Sequence, residues 1–136
     1  MLGFIKEKES IRHQALERFL DLHSANNKFE FPKDFIPRKY YDNVVGIYVN
    51  EDLPVVNLKI RVHGVQMEYM RMLPLHKSQS EVKSRYGEFA EFTYRVCLTP
   101  ELKSKILALG SNVEVLEPVE YREEIKKEIG LTLNRY

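Results

Sequence analysis

The chain has 136 residues, 21 Lys and Arg against 20 Asp and Glu, and a formal net charge of +1. That length suffices for one ordinary domain, or for a small domain with an attached fragment. A hydrophobic share of 43% beside 30% charged residues excludes a disordered chain, and the balanced charge gives no global argument for polyanion binding.

The opening stretch Met1 to Ile5 is apolar and has no basic region ahead of it, so it does not read as a signal peptide. Lys6 to Ser10 forms a polar turn. Ile11 to Leu22 alternates imperfectly through Ala15, Leu16, Phe19 and Leu20, and a charged helix fits the same residues. His23 to Lys33, with Ser24, Asn26, Asn27 and Pro32, reads as a linker. A short helix is predicted from Asp34 to Gly46, with Pro37 in its first turn and Gly46 at its end. Tyr40 and Tyr41 are expected to pack rather than to stack on a base. Asn50-Glu51-Asp52 marks a turn before the main domain.

From Val55 the predicted order is a strand to Val62, a helix over Val65 to Leu73, and a strand over Ser80 to Arg85. A turn at Tyr86-Gly87 leads into a strand from Phe89 to Leu98. A helix from Pro100 to Leu109, closed by Gly110, precedes a strand at Val113 to Leu116 and a helix from Val119 to about Asn134. The first six of these elements spell βαββαβ, the order of a ferredoxin-like sandwich. Leu58-Lys59-Ile60-Arg61-Val62 alternates cleanly, which predicts one buried and one polar face. Leu102, Ile106 and Leu109 form one apolar stripe, and Tyr121, Ile125, Ile129 and Leu133 a second.

The chemistry of most enzyme classes is not spelled out. The histidines His13, His23, His63 and His76 are scattered and Cys97 is the only cysteine, so neither a metal site nor a disulfide is expected. Cys97 lies mid-strand and reads as a buried thiol. Ser78 lacks the Gly-x-Ser-x-Gly elbow, and the glycines never cluster into a phosphate loop. Glu117, Glu120, Glu123 and Glu124 suit the start of a helix. No apolar run approaches the roughly 18 residues of a membrane span.

One polar knot remains, Pro74-Leu75-His76-Lys77-Ser78-Gln79. Its donors and acceptors, with Arg71 beside them, suit a phosphate or a base edge. Arg61, Lys83, Arg85 and Arg95 lie in the same region, where seven Lys and Arg stand against four Glu between Pro54 and Thr99. The structural alternative is that Ser78 and Gln79 satisfy backbone groups between helix and strand.

The order of these elements resembles the C-terminal extension of WYL-domain transcription regulators, bacterial proteins with an N-terminal helix-turn-helix. The residues that carry the resemblance are Pro-Leu-His-x-Ser-Gln at 74–79, the helix ending Ala108-Leu109-Gly110, the Val113-Glu114-Val115-Leu116-Glu117-Pro118 strand, and the last helix ending in Tyr136. Leu2-Gly3 and Arg12-His13-Gln14-Ala15-Leu16-Glu17-Arg18-Phe19 are similar to the last strands of the WYL domain itself. Phe19 stands for the usual isoleucine and Glu17 for the commoner aspartate. On that alignment Met1 falls inside the WYL domain, and Ile11 to Leu22 is a strand that puts Arg12 and Arg18 on one face.

The resemblance implies an α+β fold. A ferredoxin-like sandwich with an added C-terminal helix (54–136) would follow a linker (23–53) and a fragment of an Sm-like barrel (1–22). It implies a non-enzymatic, cytoplasmic fragment for dimerisation and ligand sensing, without cofactor, metal or membrane. The expected partners are a second copy and a weakly bound single-stranded nucleic acid or nucleotide. Arg12, Arg18, Arg71, His76, Lys77, Ser78 and Gln79 are the candidate contacts. The alternative is a free-standing ferredoxin-like ligand-binding domain or enzyme subunit.

Overall fold

The computed structural model describes residues 2–5, 9–25, 28, 30, 33, 35–85 and 87–136. The expected turn at Lys6 to Lys8, the linker residues Asn26, Asn27 and Pro32, the helix start at Asp34 and the turn residue Tyr86 lie outside them. The chain divides into two compact units, Met1–Tyr40 and Tyr41–Tyr136.

In the first unit β1 (Leu2–Ile5) and β2 (Ser10–His13) form an antiparallel pair, with Gly3 opposite Arg12. The second strand is much shorter than the predicted Ile11 to Leu22. After His13 the chain leaves the ladder and makes a single 3-10 turn at Leu16–Arg18. Leu16, Leu20 and Leu22 are exposed, so no buried face holds the segment in strand register. Arg12 lies in β2 and Arg18 in the 3-10 turn, so the two do not share the strand face expected of them. The predicted 34–46 helix contracts to α1 (Pro37–Tyr40), with Pro37 in its first turn as expected. The Tyr40 hydroxyl donates to the carbonyl of Ile11 (3.1 Å), and its ring meets Phe35 edge-on.

The second unit is built on a four-stranded antiparallel sheet. Its strands are β3 (Val55–His63), β4 (Ser80–Arg85), β5 (Phe89–Cys97) and β6 (Val113–Glu117), in the spatial order β4-β5-β3-β6. The helices are α2 (Gln66–Met72), α3 (Pro100–Ala108) and α4 (Val119–Leu133). This is the α+β, ferredoxin-like arrangement with an extra C-terminal helix that the element order predicts. Each predicted boundary here falls within two residues of the observed one.

Alternation decides the layers. Leu58, Ile60 and Val62 of β3 and Ala90, Phe92, Tyr94 and Val96 of β5 enter one core with Met67, Met70, Leu102, Ile106, Val115, Tyr121 and Ile125. All three helices thus cover the same side of the sheet. Thr99 caps α3 by accepting from the Leu102 N–H (3.2 Å), Pro100 follows at the first helical position, and Gly110 (φ +58) turns the chain out of it. The predicted stripe of α4 is only half used. Tyr121 and Ile125 are buried, whereas Ile129 and Leu133 are exposed, because the helix runs on past the core.

Residues 41–53 lie in the second unit and are tied to it. Val44 and Val45 are buried, the Cys97 N–H donates to the Asn43 carbonyl (2.7 Å), and the buried Cys97 thiol reaches the Leu53 carbonyl (3.5 Å). Gly46 does not end a helix. It sits at φ +103 in a bend whose next two N–H groups bind Glu101.

Candidate functional site

The Pro74–Gln79 knot joins the end of α2 to the sheet, and its polar atoms are spent on that task. Gln79 Nε2 donates to the Met70 carbonyl (2.7 Å), while its Oε1 accepts from the Leu75 N–H (3.3 Å) and the Tyr94 hydroxyl (2.8 Å). Ser78 Oγ accepts from the Arg95 N–H (2.9 Å). The Ser78 N–H donates to His76 Nδ1 (3.2 Å), which makes that nitrogen an acceptor and the Ser78 hydroxyl the donor in their 2.8 Å contact. His76 is buried, and desolvation pushes its imidazole below the ordinary value of 6.5. The neighbouring Lys77 ammonium acts the same way, while Asp42 opposes both.

The cations of the knot are likewise engaged. Arg71 makes a two-pronged pair with Glu81 (2.7 and 2.9 Å) and a further contact with Glu68, which raise its already high pKa. Lys77 pairs with Asp42. The structure therefore brings Arg71, His76, Lys77, Ser78 and Gln79 together around the α2–β4 junction, as a clamp that binds its own backbone and side chains. Arg12 and Arg18 belong to the other unit.

A different set of residues gathers on the sheet face opposite the helices. Cross-strand register aligns Lys59 with Thr93, Arg61 with Glu91, His63 with Phe89 and Asn57 with Arg95. On the other side of β5, Lys83 stands opposite Glu91 and Arg85 opposite Phe89. Arg61 lies over the Phe89 ring at 4.7 Å from its centroid and Lys83 at 5.6 Å, within cation–π range. The His63 ring is 6.4 Å from Phe89, tilted by 59°.

Glu91 is the anchor of this face. Only 2% of it is exposed although it points away from the core. Lys59 covers its Oε2 (2.8 Å), and Arg61 donates to its Oε1 through Nη2 (2.7 Å) and Nε (3.1 Å). Those bonds, Lys59 first, outweigh desolvation and hold the Glu91 carboxyl down to about 2. Arg61 also reaches Glu114 (3.5 Å), which receives Arg122 from α4 (2.7 Å). Lys59, Arg61, Lys83, Arg85 and Arg95 stand there against Glu91, Glu114 and Glu88, the last paired with Arg85 (3.1 Å). Lys83 and Arg95 make no ion pair with a described residue.

Sequence reading noted Arg61, Lys83, Arg85 and Arg95 but grouped them with the knot, and it missed Lys59, Phe89 and Glu91. The signal was present as strict alternation from Phe89 to Val96, whose odd-numbered residues all fall on the face of Lys59 and Arg61.

A search of the curated proteins returns no match to this chain. The family model of the WCX domain matches residues 54–133, from just before β3 to the end of α4. That domain is found in WYL-type regulators, in agreement with the resemblance carried by the Pro74–Gln79 knot and the strand before Pro118. The match takes in the whole ferredoxin-like sheet and its three helices, and the chain belongs to the WCX-domain family.

Proposed function

We propose that this chain is a C-terminal regulatory part of a WYL-type transcription regulator, without catalytic activity, which acts as a homodimer and contributes contacts to a single-stranded nucleic acid or nucleotide ligand. The N-terminal β1–β2 pair would be the last strands of a WYL domain. The observation that carries the ligand reading is the helix-free sheet face. Arg61 and Lys83 lie over the Phe89 ring there, Lys59 and Arg95 carry the row of cations farther along the strands, and Glu91 fixes Lys59 and Arg61 in place. Cations beside an aromatic ring suit a phosphate backbone with unstacked bases, which bind mainly through charge and stacking. Lys83 and Arg95 carry the charge that an incoming phosphate can use, and both are exposed or at the sheet edge. This moves the expected contacts away from Arg71 and Lys77, whose charges are already matched by Glu81, Glu68 and Asp42.

The test is fluorescence anisotropy of a labelled single-stranded oligonucleotide against the full chain over a salt series. Binding should be weak, indifferent to sequence and steeply reduced by salt. The double variant Lys83→Glu, Arg95→Glu should weaken it strongly, and Arg71→Gln much less. Binding that ignores the double reversal, or none at low ionic strength, sinks the ligand reading.

A further inference from the structure

We propose that Glu91 sets the ligand class of the helix-free sheet face, shutting out a single nucleotide or other compact polyphosphate and leaving a track for a strand of several nucleotides; this rests on the ligand reading above and narrows it. Glu91 occupies the middle of the face. Cross-strand register puts Arg61 of β3 on one side of it and Lys83 of β4 on the other. Its carboxylate oxygens are both engaged, Oε2 by Lys59 (2.8 Å) and Oε1 by Arg61 (2.7 and 3.1 Å). An ammonium and a guanidinium gripping two oxygens is the arrangement a phosphate would receive. Here the protein's own acid takes that place, and with 2% of it exposed it leaves no room for a second anion between those cations.

The charge left over is split. Lys83 and Arg95 are exposed and make no ion pair with a described residue. Lys83 stands opposite Glu91, and Arg95 follows four residues farther along β5, about 14 Å at about 3.4 Å per residue. Between them on the same face lies Thr93, whose hydroxyl donates to the Ser80 carbonyl (3.4 Å). The charges of one nucleotide sit on adjacent phosphates and meet one of these cations at a time. A lone exposed cation holds an anion weakly. A single strand carries a phosphate at every nucleotide, meets Lys83 and Arg95 together, and gains affinity with each cation engaged.

The experiment uses the full chain at neutral pH and low ionic strength. Oligothymidylates of one to eight nucleotides, ATP and pyrophosphate each compete with a labelled longer strand in the anisotropy assay. Wild type should bind the eight-nucleotide strand at least about tenfold more tightly than thymidine monophosphate or ATP. Glu91→Gln frees Lys59, since Arg61 keeps its contact with Glu114 (3.5 Å), and should improve ATP and pyrophosphate binding about tenfold. It should also steepen the log–log salt slope for the strand by about 0.7, the increment of one more phosphate contact. Circular dichroism checks its fold. Thr93→Lys leaves Glu91 and its bonds in place and sets a cation about 7 Å from Arg95, two residues away, so it too should gain ATP binding. Equal wild-type affinity for ATP and the eight-nucleotide strand overturns the track while the ligand reading stands. A folded Glu91→Gln with unchanged ATP binding and salt slope overturns the role of Glu91, and an unchanged Thr93→Lys overturns the spacing argument. A wild type that binds no strand removes the ligand reading and this assignment with it.

Discussion

Gly46 and Glu101 meet so closely that a Cβ on Gly46 would stand 2.3 Å from Glu101 Oε2. The same oxygen accepts from the N–H groups of Ile47 (2.8 Å) and Tyr48 (2.7 Å), so one carboxylate from the start of α3 holds the 41–53 segment. Gly46→Ala combines a strained φ of +103 with the displacement of that carboxylate. We expect a loss of about 2 kcal/mol, from backbone strain and weakened charge-assisted bonds. Urea unfolding of Gly46→Ala and Glu101→Gln checks this, with the glycine variant the more damaged. A Gly46→Ala midpoint equal to wild type would contradict the close approach.

Two tyrosines of the core separate the worth of a hydroxyl from the worth of a ring. Burial raises the pKa of both Tyr94 and Tyr121. The Tyr94 hydroxyl donates to Gln79, whereas the buried Tyr121 hydroxyl has no hydrogen-bond partner among the described residues. Tyr94→Phe should cost about 1 kcal/mol because Gln79 loses a donor, and Tyr121→Phe should be neutral or stabilising by a similar amount. Thermal melts of the two variants side by side decide the matter, and an equal loss in both would refute it.

Gln79 should be the costliest residue of the knot. Its alanine variant leaves the Met70 carbonyl, the Leu75 N–H and the Tyr94 hydroxyl without their partner, for an expected loss of about 2–3 kcal/mol. Because Tyr94 shares that network, Gln79→Ala with Tyr94→Phe should cost less than the two single changes added together. A strictly additive double mutant would count against a shared network.

Acid should weaken the fold in two stages. His76 and Glu91 both have folded-state values below their ordinary ones, so each supplies stability above its ordinary value that is lost as the pH falls. His76 acts first, below 6.5, when its buried ring must charge. Glu91 follows, between 4.5 and about 2, when its carboxyl takes a proton and releases Lys59 and Arg61. Unfolding midpoints followed from neutral to acid pH should show both losses. Glu91→Gln should shrink the lower one to the part that Glu81 contributes, since Arg71 also holds that carboxyl below its ordinary value, and a variant that keeps it in full would show that Glu91 is not responsible.

The sandwich was legible because its signals are local and repeated. Alternation at Leu58 to Val62, the Thr99-Pro100 start and Gly110 end of α3, and the proline after Leu73 each follow from backbone chemistry that needs no distant partner. The first unit was less legible since Ile11 to Leu22 has no consistent apolar period, and the strand ends where the ladder has nothing to bury. Half of the α4 stripe misled for the opposite reason. Ile129 and Leu133 keep the right spacing, but only the size of the sheet decides how far along a helix the core extends. Within the candidate site, the cations are visible in the sequence but the way they group is not. Pairs such as Lys59 with Glu91, or Arg71 with Glu81, depend on strand register and helix placement, which spacing along the chain does not encode.

The strand order β4-β5-β3-β6 also sets a timetable for synthesis. β3 is the first strand of the sheet to be made and β6 the last, yet they lie side by side. Until residues 113–117 leave the ribosome, the backbone of Lys59 to Val62 has one flank without its final neighbour, and the aliphatic core lacks Val115, Tyr121 and Ile125. The unit therefore closes late, after nearly all of its residues have emerged, and a chain released early would present an unfinished central strand to whatever lay nearby.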